Sequence, residues 1–317
     1  MEAKPTRRAA LQTFAGSVLA AALGPTRSSH GVSCVVTVDV APGLKIHGLQ
    51  TGTVRVKRAH REWKGPSALR LPAIVASRRW TEDLPILCWL IEEGERRILV
   101  DTGETHRTAE PDWFDCDPGT GWFYNRNLRL DVPGESDEAG PLLRQLDLEP
   151  SGVDTVVMTH LHSDHAGGMS WFPEAKFFVG GDYPSARGTL PCRYPEWLDP
   201  ERIESVAGAW GPFDAHHKLS ESVRIVPTPG HSLGHHSVVV ETEVLQIVLA
   251  GDASFTAQQM QKGHTAGICE APRRARRTLE RLRQLCADKP TVYLPSHDPE
   301  SLARLRALTV EPGAGAT

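Results

Sequence analysis

The sequence predicts a layered α/β fold, and three observations support this prediction. Apolar, strand-like runs joined as a hairpin come first, and helix-like segments are interspersed among the later strand-like runs. Four of these runs end at histidine or aspartate. Packed layers of sheets and helices bring such strand ends together along one edge. We therefore expect a polar site at the edge of the packed sheets.

The first half of the chain predicts an early strand and a hairpin. Lys45–Lys57 alternates loosely between apolar and polar residues, and Leu84–Ile91 is strongly apolar. Glu93-Gly94 is a turn signal that leads into Arg97–Val100, so these two runs predict a β-hairpin. Asp101-Thr102-Gly103 closes its second strand.

Residues 104–140 are rich in proline, glycine and aspartate, which predicts a long irregular segment. One interpretation is a lid or pocket wall for an apolar substrate, and the other is a surface loop held by its own aromatic side chains. Both stay open. The aromatic residues concerned are Trp113, Phe114, Trp122, Phe123 and Tyr124. Pro141–Leu146 then predicts a short helix.

The second half of the chain predicts further strands at Val153–Met158, Lys176–Val179, Val223–Thr228, Ser237–Thr242, Leu245–Ala250 and Thr291–Leu294. Residues 183–217 are predicted to be irregular. Pro272–Ala287 predicts a helix with proline in its first turn and an apolar stripe on one face. Its many arginines predict a solvated face, because no aromatic residues alternate with them as in single-stranded nucleic-acid sites.

Composition sets limits on the class of protein. The 317 residues, of which 40% are hydrophobic and 23% charged, are typical of a soluble globular protein. The net charge of -4 indicates no polyanionic partner, and we predict no nucleic-acid binding. None of the six cysteines forms a C-x-x-C pair, so a thiolate zinc cluster is not indicated.

The N-terminal segment differs from the rest. Thr6-Arg7-Arg8 precedes an apolar run, Ala9–Gly24, that is too short and too weakly apolar to indicate a membrane span. The pattern predicts a twin-arginine export signal over residues 1–30, followed by a single domain over residues 31–317. Periplasmic localisation follows from this prediction. The alternative is an N-terminal amphipathic helix of the domain, in which case the protein would be cytoplasmic.

The stretch Thr159–Gly168 places three histidines and one aspartate within six residues, directly after a β-branched apolar run. If extended geometry continues through His160 and His162, their side chains point to one face and can bind one metal ion. Asp164 and His165 lie past the bend, where they can turn toward a second ion. Imidazole and carboxylate suit zinc and similar divalent metals. A histidine-rich loop that binds nothing is the alternative.

Three later residues have the same context. His231, Asp252 and His297 each follow an apolar strand and sit next to glycine or proline. Small or turn-forming neighbours allow the backbone to approach a site closely. Each residue alone would more often be structural, so it is their shared position that indicates a constellation.

These motifs, together with Asp101-Thr102-Gly103, resemble the metallo-β-lactamase superfamily and, within it, the quorum-quenching N-acyl-homoserine lactonases. The resemblance runs from about Lys45 to the region of His297. It implies a four-layer αββα sandwich with a two-metal site on its edge and a small-molecule lactone as substrate. Independently of the resemblance, no stretch of the sequence is long and apolar enough to predict a bilayer span, so we expect no stable membrane insertion. The oligomeric state stays open.

The resemblance also implies a role for each residue. His160, His162 and His231 would bind one zinc ion, and Asp164, His165 and His297 would bind the second. Asp252 would bridge the two ions together with a hydroxide that attacks the lactone carbonyl. Asp164 and Asp252 would be catalytic because their charges leave a small positive balance for an anionic intermediate. Other divalent metals could replace the two zinc ions.

One position departs from the family pattern. Lactonases of this branch have a tyrosine three residues after the bridging aspartate, where it hydrogen-bonds the substrate. The residue here is Phe255, which we expect to contact substrate without a donor. Groups considered as replacements are Tyr124, Tyr183, His235 and His236.

Several alternatives use the same residues. A broad esterase, a phosphotriesterase or a thioesterase could share the site, and the motifs do not separate them from a lactonase. A zinc β-lactamase, a di-iron protein and a ribonuclease fit the ligand set or the charge less well. A zinc-binding domain without catalysis is the alternative from a different class.

Overall fold

Two β-sheets form the centre of the protein. The computed structural model describes residues 26–27, 34–115, 118–181, 199–206 and 216–311. The first sheet contains β1 (Thr26–Arg27), β2 (Cys34–Ala41), β3 (Leu44–Val56), β4 (Leu84–Glu93), β5 (Arg96–Val100), β6 (Leu128–Asp131), β7 (Thr155–Val157), β8 (Lys176–Gly180) and β9 (Ile203–Val206). The second contains β10 (His217–Lys218), β11 (Val223–Pro227), β12 (His236–Glu241), β13 (Gln246–Gly251) and β14 (Thr291–Pro295).

The strand order places the later part of each sheet in parallel pairs. The first sheet runs β1-β2-β3-β4-β5-β7-β8-β9, with β6 paired to β3, and the second follows chain order from β10 to β14. Strands β5, β7, β8 and β9 pair in parallel, as do β13 and β14. Parallel strands have their carboxyl ends at one edge, so loops that leave them can meet there.

Helices lie outside the sheets. Their bounds are α1 (Arg58–Arg61), α2 (Arg70–Ala76), α3 (Pro118–Asn127), α4 (Ala139–Arg144), α5 (Ser163–Ala166), α6 (Ala257–Lys262), α7 (Pro272–Asp288) and α8 (Ser301–Ala307). Among the described residues, no helix has both the length and the apolar content needed to cross a bilayer.

Alternation along the strands divides the core into layers. In β12, Val238 and Val240 belong to the cluster between the sheets, whereas Val239 packs in the cluster that contains Leu279 and Leu282 of α7. Successive side chains of a strand point to opposite faces, so one strand can serve both layers. Burying a leucine of this kind contributes about 1.5–3 kcal/mol relative to leaving it exposed.

The outer face of the first sheet is covered in the same way. Leu142 and Leu143 of α4 are buried in one cluster with Leu90 of β4 and Val156 of β7. The layers are therefore helix, sheet, sheet and helix. This order confirms the predicted αββα sandwich.

The strongest sequence signals are confirmed. β4 pairs with β5 antiparallel, as the predicted hairpin requires, and the predicted helix at Pro272 extends to Asp288. The buried positions of α7 include Ala275 from the expected apolar stripe.

The prediction that residues 104–140 are irregular was wrong in part. This segment contains α3 and β6, and β6 is hydrogen-bonded to β3, with Thr53 opposite Asp131. A four-residue strand has a weak signal of its own, because pairing with a long neighbour is what stabilises it. β9 was also missed within residues 183–217, much of which lies outside the described residues, as does almost all of the predicted export signal.

Candidate metal centre

The predicted ligands follow strands of both sheets. The loop after β7 carries the first cluster, which begins at His160, and it lies beside the end of β5, where Asp101 stands. His231 follows β11, Asp252 follows β13, and His297 follows β14. The close contacts among them show that the strand ends do meet at one edge.

Three histidines form the first group. His162 Nδ1 lies 2.9 Å from His160 Nε2 and 2.9 Å from His231 Nε2. Nδ1 of His162 thus faces one nitrogen of each of the other two rings. A single ring nitrogen offers only one proton or one lone pair, so it cannot form a full hydrogen bond with both. Burial lowers the pKa of all three imidazoles, which favours the neutral form that binds metals.

A second group contains both acids. His297 Nε2 lies 3.4 Å from Asp164 Oδ2 and 3.4 Å from Asp252 Oδ1, and His165 Nε2 lies 3.3 Å from the same Asp252 oxygen. Asp252 Oδ2 is 3.5 Å from His231 Nε2, so this carboxylate reaches both groups. Three sets of side chains have ligand atoms within 4.8 Å of one another: His160, His162 and His231; His160, His165 and Asp252; Asp164, His165 and His297.

The hydrogen bonds of the second group fit bound cations. His297 Nδ1 donates to the carbonyl oxygen of Pro85 at 2.8 Å, so a neutral ring has its lone pair on Nε2, facing carboxylates. Within the described part of the chain, His297 Nε2, His165 Nε2 and Asp252 Oδ1 are buried without a hydrogen-bond partner. Lone pairs and carboxylate oxygens repel one another at this range, unless a cation or a proton lies between them. The residues present therefore fit a divalent metal.

The pKa values of this second group also indicate that it favours positive charge. Burial lowers the pKa of His297, but the nearby carboxylates of Asp252 and Asp164 outweigh burial and raise it to about 10. The neighbouring histidines in turn hold the pKa of Asp252 well below its usual value, against the effect of burial. Positive charge is thus strongly favoured here, and a metal can take the place of the protons.

Asp101 holds His165 in position. Its Oδ2 accepts hydrogen bonds from His165 Nδ1 and from Thr159 Oγ1, both at 2.8 Å, and its Oδ1 accepts from Thr159 N at 2.7 Å. Asp101 is fully buried and has a φ of 59°, in the left-handed region that non-glycine residues rarely adopt. The bond to Nδ1 keeps Nε2 of His165 aimed at Asp252, which is the usual function of such outer partners.

His235 is a second positioning residue. Its Nδ1 lies 2.8 Å from Thr228 Oγ1, and its Nε2 accepts a hydrogen bond from the backbone N–H of Asp252 at 3.0 Å. Both ring nitrogens are therefore used, and His235 has no donor for a substrate. Gly251 allows this contact, since its φ is 54° and a Cβ there would lie 2.9 Å from His235 Nε2.

A cavity of about 300 Å³ opens beside the predicted ligands. It is lined by His162, Asp164, His231 and Asp252, and also by Val56, His60, Gly119, Thr120, Phe123, Tyr124, Leu128, Phe255 and Ile268. The mixture of apolar walls with a few polar groups is typical of small-molecule sites.

The aromatic residues of segment 104–140 lie in two places, the cavity wall and the hydrophobic core. Phe123 and Tyr124 of α3 line the cavity, as the pocket-wall interpretation expects, whereas Trp113 and Phe114 are buried in the core. Trp122 is 54% exposed.

Phe255 lies against the predicted ligands. Its ring stacks on His297 with the ring centres 5.1 Å apart, and it lines the cavity while being only 2% exposed. Of the replacement donors considered, Tyr124 lines the cavity, and burial raises its pKa so that its hydroxyl stays protonated. Tyr183 lies outside the described residues, and His236 is not among the lining residues.

Sequence analysis missed His60. This residue lines the cavity and is 7% exposed, and burial lowers its pKa to about 3, so the ring is neutral. Its sequence context, Arg58–Arg61, has no motif and no preceding glycine or proline. Nothing in the local pattern could have connected it to predicted ligands that begin a hundred positions later, at His160.

A buried set of histidines and carboxylates at the edge of a four-layer sandwich defines a class of metal-dependent proteins. The family model described as the metallo-beta-lactamase superfamily matches residues 81–297, more than half of the chain. The chain belongs to this superfamily.

Relatives and solved structures agree with this assignment. An N-acyl homoserine lactonase of Bacillus thuringiensis is 27% identical over 220 residues, which cover 69% of this chain and 83% of that protein. The N-acyl homoserine lactonase AiiB of Rhizobium rhizogenes is 28% identical over 245 residues, covering 70% and 83%. A solved N-acyl homoserine lactone hydrolase, with the product N-hexanoyl-L-homoserine bound at its catalytic metal center, matches with a TM-score of 0.65 at 25% identity, covering 80% of this chain and 93% of that one.

These comparisons confirm the predicted resemblance, the fold and the assignment as a metal-dependent hydrolase. The structure brings together all seven residues to which the resemblance assigns metal ligation: His160, His162, Asp164, His165, His231, Asp252 and His297. Ligation itself, the number of ions and the roles of Asp164, Asp252 and Phe255 in catalysis stay predictions.

Proposed function

We propose that this protein opens the ring of lactones, above all N-acyl homoserine lactones, with two zinc ions held by the seven clustered residues. The observation that carries the proposal is a buried set of nitrogen and oxygen atoms that have no hydrogen-bond partner among the described residues and that lie beside a cavity with apolar walls. Relatives that cover more than two thirds of the chain and bear the name N-acyl homoserine lactonase support the choice of substrate.

Each of the seven residues has a proposed role in holding the two ions. His160, His162 and His231 would hold one ion, while Asp164, His165 and His297 would hold the other and Asp252 would contact both. When bound, two such ions make hydroxide available near neutral pH and polarise a carbonyl group. The two aspartates reduce the positive charge of the site without cancelling it, so a net attraction remains for an oxyanion.

The cavity walls would orient the substrate. Phe123, Leu128 and Ile268 provide an apolar surface for an acyl chain, and Phe255 covers His297 on the same side. Binding the chain along these walls would fix the lactone ring beside the metal ligands and convert the reaction into a step between oriented groups.

The deciding experiment is a pH-stat measurement of acid release from several N-acyl homoserine lactones, with and without a chelator. We expect ring opening that stops on chelation and returns when zinc is added. His217→Ala serves as a matched control for histidine variants of the site, because His217 is partly exposed on β10 and lies 3.9 Å from Glu204. Metal binding with no turnover of any ester would contradict the proposal and favour a non-catalytic zinc-binding domain.

A broad esterase or phosphotriesterase is the second candidate. The observation that favours it is Phe255, which has no hydrogen-bond donor for a lactone. Rates on a lactone, paraoxon and a thioester, measured with one preparation, separate the candidates. A lactone rate below the other two would reject the lactonase proposal.

Export to the periplasm remains part of the proposal, on the strength of the arginine pair and the apolar run that follows it. Fractionation of cells that express the full chain, followed by N-terminal sequencing of the mature protein, tests it. Recovery of the uncleaved chain in the cytoplasm would contradict export.

A further inference from the structure

His60 is held firmly at the wall of the cavity. It lies in α1, just after β3, and its backbone carbonyl accepts hydrogen bonds from Gly267 N at 2.8 Å and Ile268 N at 3.0 Å. A Cβ on Gly267 would collide with the carbonyl oxygen of Ala59, so the two segments approach as closely as glycine permits. The backbone that carries the imidazole is therefore held in place by a distant segment of the chain.

The ring of His60 belongs to a row of aromatic contacts that starts at the predicted metal ligands. Phe255 stacks on His297, and His60 packs edge-on against Phe255, with ring centres 6.1 Å apart and planes at 80°. On its other contact, the ring centre of His60 lies 6.4 Å from that of Phe123. His60 is thus one contact further along the cavity wall than Phe255, between the predicted ligands and the apolar wall of α3.

The side chain of His60 makes no hydrogen bond within the described residues. The residue is only 7% exposed, and its Nδ1 is buried without a hydrogen-bond partner. An imidazole carries at least one N–H group in any protonation state. Buried polar groups are usually satisfied, so an unused ring on a residue that lines the cavity indicates a partner that arrives with the ligand.

We propose that His60 is a substrate-contacting residue that hydrogen-bonds the acyl amide of an N-acyl homoserine lactone. The inference rests on the proposed function, which places the reacting lactone carbonyl beside His162 and Asp252. The amide carbonyl carbon is three bonds from the reacting carbon, so it would lie beyond Phe255, where His60 stands. The amide has both an N–H and a carbonyl, and either can pair with one of the ring nitrogens.

This contact explains how the site can recognise its substrate without a tyrosine at position 255. Phe255 provides only an apolar surface, and the neighbouring imidazole provides the polar contact. Specificity would then be directed at the amide rather than at the reacting ester. A site that hydrogen-bonds a substrate group strongly rejects analogues that lack the group.

The test compares two lactones in wild type, His60→Leu and His60→Asn. One is N-hexanoyl homoserine lactone, and the other is an α-alkyl-γ-butyrolactone of matched chain length, which has no amide. We expect His60→Leu to lower kcat/KM for the amide-bearing lactone roughly tenfold or more, with little change for the alkyl lactone. His60→Asn, which keeps a donor and an acceptor, should recover part of the loss.

Metal content and the alkyl-lactone rate show whether each variant is folded and loaded. His217→Leu is the matched control, since it removes an imidazole that does not line the cavity and contacts Glu204 instead. Equal losses on both lactones in both His60 variants, or no loss on either, would overturn the inference while leaving the lactonase proposal intact. A wild-type protein that opens neither lactone would overturn both.

Discussion

Replacing Asp101 with asparagine should weaken the second half of the metal centre while leaving the ligands themselves unchanged. The carboxylate is fully buried and accepts three hydrogen bonds, two from Thr159 and one from His165 Nδ1. In Asp101→Asn an amide NH₂ group replaces one of the two oxygens. If that group faces His165, two donors meet, and the imidazole can relieve the conflict only by moving its proton to Nε2.

A proton on Nε2 blocks the atom of His165 that faces Asp252. We therefore expect metal affinity at this half of the centre to fall about 10- to 100-fold, the range for loss of an outer partner. The folded state should also lose about 1.5–3 kcal/mol, because a hydrogen bond to a buried charge is removed. Turnover at limiting zinc should fall with affinity and recover in part when zinc is raised.

The assay is competition for zinc against a chromophoric chelator, combined with metal analysis after dialysis and with denaturant unfolding. Asp39→Asn is the control, because Asp39 is exposed on β2 and its nearest cationic partner, Lys45, is 4.0 Å away. Two ions bound with wild-type affinity in Asp101→Asn would refute the argument that Asp101 fixes the tautomer of His165.

Three further predictions concern the site. His162→Ala or Asp252→Ala should abolish ring opening and bring bound metal, measured by elemental analysis, below two ions per chain; full activity in either would contradict the ligand assignment. Phe255→Tyr should change lactone kcat/KM severalfold, and an unchanged value would show that this side chain lies away from substrate. In the chelated protein, the folded pKa of His297 is about 10, above the ordinary 6.5. Its stabilisation is complete below pH 6.5 and is lost as pH rises through 10. The urea midpoint should fall across that range, and a rising midpoint would contradict this sign.

Much of the site could be predicted because its ligands carry a local signal. His160, His162, Asp164 and His165 are close in sequence, and each of the later ligands follows an apolar strand. Strand ends at one edge of a sandwich lie close together, so the shared position of these residues indicated a constellation. The assignment of each residue as a metal ligand came from the resemblance to the superfamily.

The parts that were missed depend on contacts between distant segments. His60 reaches the cavity because α1 is hydrogen-bonded to the backbone around Gly267, a pairing that no pattern near either residue encodes. β6 exists because β3 is long enough to accept a further partner. Likewise, the separation of Phe123 from Phe114, one in the cavity wall and one in the core, follows from the orientation of α3 and not from composition.

The predicted ligands follow strands of both sheets, and this has a consequence for how the protein matures. The cluster after β7 is synthesised before the other ligands, whereas His297 follows β14, the last strand of the second sheet. A nascent chain that stops before β14 has at most a partial set of donors. Loading of the complete predicted centre would therefore follow the synthesis of both sheets, and bound metal would then join the first-made sheet to the last-made one.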